Sequence, residues 1–249
     1  QHVAGICGSN GGVIDNCYSA ATCVVSIGGV GGIVSWNGGT ISNCYNMGFV
    51  YGLNSVGGVC NNNSTSGIIS NCYNVGTISS SLGEKTGGVC GYSNGIITNC
   101  YNRGIVSGKI SVGGVCGHSF GSFLSNCYNI GAVSGTNSVG GVCGYAEKVS
   151  LTHCYNTGTV NGEQYVGGLC GFGNSNGSIT NCYNTGTVNG EQYVGGVCGF
   201  ANSNGSITNC YYLSDPNIQG IGYGSGEATE KTSKQFASGE VAWLLNGSE

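Results

Sequence analysis

Charge is scarce in this chain. Six Lys and Arg and ten Asp and Glu among 249 residues make 6% charged side chains and a net charge of −4, where an ordinary soluble domain carries roughly 25%. Six dispersed basic residues cannot lay down the stripe that phosphate contacts require, which excludes a nucleic-acid binder. Long hydrophobic runs are also missing. The longest near the C-terminus, Val241 to Leu245, falls far short of the roughly 20 residues that span a bilayer. No block of like charge occurs and 39% of residues are hydrophobic, which argues against disorder. Cys-x-x-Cys pairs are absent, removing the usual zinc and iron–sulfur signatures, and without Cys-x-x-Cys-His there is no covalent haem site. No cofactor or metal is expected.

Catalytic constellations are equally thin. His2, His118 and His153 lie in unrelated registers, Asp15 and Asp215 are the only aspartates, and Glu163 and Glu191 are repeat equivalents 28 residues apart. No glycine-rich loop leads from a strand into a helix, so the glycines do not read as a phosphate cradle. The expectation is a protein that is not an enzyme.

What is abundant is glycine, 51 residues, and cysteine, 16. The glycines do not recur every third residue, so collagen is excluded. They recur within a longer period instead. Asn-Cys-Tyr or a near variant places Cys17, Cys44, Cys72, Cys100, Cys127, Cys154, Cys182 and Cys210 at steps of 27, 28, 28, 27, 27, 28 and 28 residues. Gly-Gly-Val-Cys variants place Cys7, Cys60, Cys90, Cys116, Cys143, Cys170 and Cys198, with Val34 where the second unit lacks a cysteine. Thr157 to Cys182 returns almost unchanged as Thr185 to Cys210.

Within a unit, β-formers alternate with Asn-Gly corners, as in Tyr193-Val194-Gly195-Gly196-Val197-Cys198 followed by Asn204-Gly205. Glycine at this density excludes long helices, each costing about 0.5–1 kcal/mol relative to Ala. A 28-residue all-β unit cannot bury its own apolar side and must stack on its neighbours. The spacing therefore predicts an all-β fold, a single β-solenoid of about eight coils over residues 1–212, with handedness left open. Residues 213–249 break the repeat and read as a C-terminal cap. There Thr232-Ser233-Lys234-Gln235 resembles a capping box, and Phe236, Val241, Trp243, Leu244 and Leu245 supply an apolar face for short helices ending near Gly247.

Gly167-Gly168-Leu169-Cys170-Gly171-Phe172, followed by Gly177 to Val188, resembles the GLUG repeat of bacterial and archaeal cell-surface proteins. The resemblance covers the repeat region, residues 1–212. It implies a solenoid in adhesins, stalks of surface enzymes or other exported proteins. The departure is the cysteine of Gly-Gly-Val-Cys, where Val is the more usual occupant, and it implies a cross-link in place of an apolar contact.

The cysteine count is even, which points to an oxidising compartment and eight disulfides. One scheme joins the two cysteines within each unit: Cys7–Cys17, Cys60–Cys72, Cys90–Cys100, Cys116–Cys127, Cys143–Cys154, Cys170–Cys182 and Cys198–Cys210. Cys23, aligned with Val188, is left to pair with Cys44. The rival scheme joins each Asn-Cys-Tyr cysteine to the next unit and strands Cys7 and Cys210. A third reading is a ladder of buried thiols.

With the cysteines inward, Tyr18, Tyr45, Tyr73, Tyr101, Tyr128, Tyr155, Tyr183 and Tyr211 form an outward column. It reads either as backbone shielding or as an aromatic strip for glycans or a neighbouring rod. The flanking asparagines, such as Asn43 and Asn46 or Asn181 and Asn184, would bond coil to coil as amide ladders; His153, Ser19 and Tyr212 depart from them. A column of Thr22, Phe49, Thr77, Ile105, Ala132, Thr159, Thr187 and Asp215 is too mixed for an ice-binding face. Sequons at Asn62, Asn63, Asn176, Asn204 and Asn246 are candidate glycosylation sites.

The chain opens on Gln1 with no initiator Met, so the expectation is a processed product or an excerpt. The first coil starts without a cap, which suggests end-to-end self-association or contact with other surface-protein segments. The functional expectation is an extracellular structural rod, filament subunit or adhesive repeat of a microbial cell surface. The alternative is a glycan-binding module that uses the tyrosine column.

Overall fold

Alternating side chains and Asn or Gly corners cut each unit into five short strands. The computed structural model describes residues 3–25, 28–174, 176–202 and 204–246. In it one unit runs through Asn137–Gly140, Cys143–Glu147, Ser150–Thr152, Tyr155–Asn156 and Val160–Asn161. Each strand pairs in parallel with its equivalents one unit away, Cys60 with Cys90, Ile69 with Ile97, Tyr73 with Tyr101 and Val106 with Val133. Among the described residues the pairings build sheets of 16, 7 and 15 strands. The chain is a parallel β-solenoid of about eight turns, as the period predicts.

Differences in unit length are taken up at two corners, one between the Val50 and Val56 strands and one between the Cys60 and Ile69 strands. Val30 pairs with Val56, a step of 26 residues, and Val56 with Thr86, a step of 30. The tyrosine strands meanwhile keep steps of 27 and 28, from Tyr18 to Tyr45 and from Tyr45 to Tyr73. Register is thus held where side chains face the interior.

The interior has two apolar clusters. One contains both main cysteine columns together with Val59, Val89, Val115, Ile69, Ile97 and Leu124. The other contains Val30, Val56, Val112, Val139, Val50, Ile78, Val106 and Cys23. Each fully buried Val or Ile side chain contributes about 1.5–3 kcal/mol relative to an exposed one. Against the Gly-Gly pairs runs a buried column of asparagines, Asn46, Asn74, Asn102, Asn129, Asn156 and Asn184, in which each Nδ2 donates to the next Oδ1 at 2.8 Å. The same Nδ2 donates to a backbone carbonyl two residues on, as Asn102 does to Gly104 at 2.8 Å. The second glycine of the pair is required by this close approach. A Cβ on Gly114 would lie 2.1 Å from the Gly141 carbonyl oxygen and 2.3 Å from Asn129 Cγ.

The asparagine before each cysteine has a backbone role beyond the coil-to-coil bonding expected of it. Asn16, Asn43, Asn71, Asn99, Asn126, Asn181 and Asn209, with His153 in the same column, have φ between 49° and 57°. This left-handed turn redirects the chain between the Ile and Tyr strands, and asparagine tolerates it better than most residues. Side-chain bonds along this outer column link Asn209 to Asn181 at 2.6 Å and Asn43 to Asp15 at 2.8 Å.

The pairing continues past residue 212. Gln219–Gly224 pairs with Gln192–Ala201, and Ala228–Lys231 with Ser206–Leu213. Two short helices follow, α1 (Ser233–Ala237) and α2 (Glu240–Leu245). The capping box expected at Thr232 and Gln235 is formed. Val241 is buried, whereas Trp243 is 57% exposed. Gly247, the expected helix end, lies outside the described residues, as do Gln1 and His2. Among the described residues no helix is long and apolar enough to cross a membrane.

Asn102→Ala removes a link from the buried amide column and orphans the groups bonded to it, each costing about 1–3 kcal/mol. A loss of about 3 kcal/mol in urea unfolding is expected. Gly114→Ala should lose at least as much, because backbone, not a flexible side-chain end, blocks the methyl group. Wild-type stability in either variant would contradict the assignment.

Candidate functional site

The residues singled out in the sequence fall on columns that run along the solenoid. All sixteen cysteines are free thiols in this structure. The eight expected disulfides, Cys7–Cys17 through Cys198–Cys210 together with Cys23–Cys44, are therefore replaced by two thiol ladders. Most sulfurs are engaged by the backbone beside them: Cys72 Sγ donates to the Ser70 carbonyl and Cys90 Sγ to the Tyr92 carbonyl, both at 3.1 Å. Sulfurs of the Asn-Cys-Tyr ladder also accept from the preceding coil, as the Cys44 amide donates to Cys72 Sγ and the Cys72 amide to Cys100 Sγ, both at 3.4 Å. Cys23 belongs to the second apolar cluster and Cys44 to the first, so that pair is separated by the architecture. Burial pushes the Cys90, Cys100 and Cys154 thiols well above the usual thiol range, which keeps them inert. The thiols act as small hydrophobic core residues.

Outside the solenoid, seven of the eight expected tyrosines stack face to face. Ring centroids from Tyr45 to Tyr155 are 4.7–4.8 Å apart, with interplanar angles of 0–4°. Tyr18 and Tyr183 extend the column at 5.3 and 5.0 Å. Tyr211 instead is buried beneath the tail, donates to Asn209 Oδ1 at 2.6 Å and has Lys231 Nζ 5.8 Å from its ring centre. Because neighbouring rings cover each other's faces, the column presents edges to its surroundings.

A second aromatic column lies two residues after the Gly-Gly-Val-Cys cysteine. Trp36, Asn62, Tyr92, His118, Tyr145, Phe172, Phe200 and Tyr223 are in register. Tyr145, Phe172 and Phe200 stack at 5.1 and 4.5 Å. Sequence reading missed it because no single residue type marks it. The alternation that puts each cysteine inward and the second residue after it outward, across a bend, was the available signal.

A third column shrinks along the axis. Asn10, Asn37, Asn63, Ser93, Ser119, Ala146, Gly173 and Ala201 are register equivalents. Where the polar side chains end, an apolar crevice of about 30 Å³ opens beside Ala146, Leu151, Ile179, Cys198 and Ile207. It has room for about one water-sized probe and none for an organic ligand.

The matched family fits one turn of this spiral. Residues 162–189 match the family described as the GLUG motif. They form one coil of the solenoid. Its strands are in register with those of the units before and after, as in Gln164 with Asn137 and Gln192. Among solved structures the chain is similar to a protein from Bacteroides ovatus described as a "putative immunoglobulin A1 protease", with a TM-score of 0.56 and 20% identity over 93% of this chain and 70% of that one. That likeness shows the fold. A comparison with curated proteins finds no match.

The coils disperse the other candidate residues. Glu163 and Glu191 sit on successive coils of one corner, with the Glu191 amide donating to the Glu163 carbonyl at 2.9 Å. His153 occupies a left-handed corner, and His118 stands in the aromatic column between Tyr92 and Tyr145 at 5.3 and 4.6 Å. Among the described residues no group of three or more His, Cys, Asp or Glu converges as a metal site. Of the sequons, Asn63 is fully buried and donates to the Gly67 carbonyl and Ser93 Oγ, both at 3.2 Å, so the folded chain cannot offer it for glycosylation. Asn62 is half-buried, while Asn176, Asn204 and Asn246 are exposed.

Two outcomes follow from this geometry. A soluble thiol reagent should label the partly exposed Cys7 and Cys17 in the native protein and the other fourteen thiols only after denaturation, with the melting temperature indifferent to reductant. A denatured, unreduced protein with fewer than sixteen titratable thiols would overturn the free ladders. Burial, aided by nearby Lys85, lowers the His118 pKa from 6.5 to about 4. The unfolded chain thus takes up a proton that the folded chain refuses as pH falls from 6.5 to about 4. Stability drops across that window by up to about 3 kcal/mol, and the drop should vanish in His118→Phe. Urea midpoints measured against pH test this.

Proposed function

We propose that the chain is a non-enzymatic structural rod of a microbial cell surface or extracellular filament. The observation that carries this reading is the uninterrupted axial ladder. Backbone pairing links every coil to the next, the buried asparagine column bonds coils two to seven, and the outward side chains repeat without converging on a reaction centre. The GLUG unit and the solenoid likeness support it, since both belong to chains built by stacking. Extracellular placement rests on the family resemblance, because free buried thiols remove the argument from cysteine parity. Self-association or attachment to other surface segments remains part of the proposal. Glycan binding through the tyrosine column is the weaker reading. A sugar stacks on a ring face, and the faces of the inner tyrosines are occupied by their neighbours.

Negative-stain images of the isolated chain should show stiff particles about 40 Å long, from eight coils at about 4.8 Å each. Incubation with immunoglobulin A1 should leave that substrate intact. Flexible or round particles would sink the rod reading, and specific cleavage would sink the non-enzymatic one.

A further inference from the structure

From each tyrosine the chain runs onward with alternating direction, so the second and fourth residues after it also point outward. In coils two to five these are Met47 and Phe49, Val75 and Thr77, Arg103 and Ile105, and Ile130 and Ala132. Met47 is 47% exposed, Phe49 40%, Val75 41%, Ile105 55% and Ile130 42%. In coils six and seven the same positions read Thr157 and Thr159, then Thr185 and Thr187. One half of a single face is therefore largely apolar, with only Thr77 and Arg103 interrupting it, and the other half is threonine. Contiguous exposed apolar surface of this kind marks an interaction site.

We propose that this face of coils two to five, the tyrosine column with Met47, Phe49, Val75, Ile105 and Ile130, is where a second copy of the chain docks side by side. The inference rests on the rod reading above and adds the partner and the face to it. Two observations select a second copy. The face is ridged every 4.7–4.8 Å by the tyrosine rings. A partner helix, with its 5.4 Å pitch, drifts out of step by about 2 Å over four coils, whereas a second solenoid keeps step over the whole length, as identical ladders do in steric zippers. The same column is also already an interface further along. At coils seven and eight the tail covers it, with Phe236 5.9 Å from the Tyr183 ring and Lys231 over Tyr211. The threonine positions lie beside that covered end, and the apolar positions lie away from it.

Charge sets the direction. Arg103 is the sole charged side chain among these twelve outward positions. Parallel rods would place Arg103 against its own copy. A two-fold, antiparallel pair centred between coils three and four places each Arg103 opposite the uncharged coil three of the other rod, so the pair is antiparallel and isologous.

Sedimentation velocity of the full chain over a concentration series tests the proposal. The wild type should pass from monomer to dimer. Met47→Thr/Val75→Thr/Ile130→Thr copies the residues that coils six and seven already carry there, and should weaken dimerisation more than ten-fold with circular dichroism and melting unchanged. Ile105→Asp should do the same, while Thr157→Asp should leave the dimer intact. A wild type that stays monomeric at every concentration would overturn the proposal, as would a dimer indifferent to the threonine variant. Rod-shaped monomers in either case would leave the rod reading standing, so the two failures are separable.

Discussion

The structure depends on one constraint, the hydrogen-bonded spacing between successive coils. Once the backbone of one turn pairs in parallel register with the next, each residue is fixed about 4.8 Å from its equivalents above and below. Every repeated side chain then becomes a column whose chemistry is decided at that spacing. Amides at this distance bond continuously, as the Asn46 to Asn184 series does at 2.8 Å. Phenol rings stack, as the tyrosines do.

Thiols at the same spacing behave differently. No sulfur of either ladder is bonded to another. The backbone carbonyl two residues away takes the thiol hydrogen instead, as Ser70 takes that of Cys72. Stability thus rests on burial and coil-to-coil bonding distributed along the axis and not on covalent staples. This is the quasi-one-dimensional energetics of repeat proteins, in which each turn answers mainly to its neighbours.

Much of this was legible in the sequence, for identifiable reasons. The Asn-Cys-Tyr spacing located one strand of every coil because it is nearly invariant, and the capping box at Thr232 was readable because a local pattern encodes it. The cysteine state was not legible. Parity counts residues, whereas bonding depends on which sulfurs the fold brings within reach, and the placement of Cys23 in a different apolar cluster from Cys44 is a property of the cross-section alone. The role of the Asn43-type residues was hidden for a related reason, since asparagine suits both an amide ladder and a left-handed corner. The second aromatic column escaped because Trp, Tyr, His and Phe share a position there without sharing an identity. The outward apolar half-face was visible only as a failed threonine column, whose mixed composition through Phe49 and Ile105 excluded one reading without suggesting another.

The two corners that absorb length differences also bear on how such a chain grows. The step from Val30 to Val56 is four residues shorter than the step from Val56 to Thr86, yet the strands on either side keep register. A duplicated segment of gene need not be copied with an exact count of codons to add a usable turn, because surplus residues gather at these corners and the new turn meets its neighbours through contacts the parent already makes. The near-identity of Thr157 to Cys182 and Thr185 to Cys210 is the trace such copying leaves.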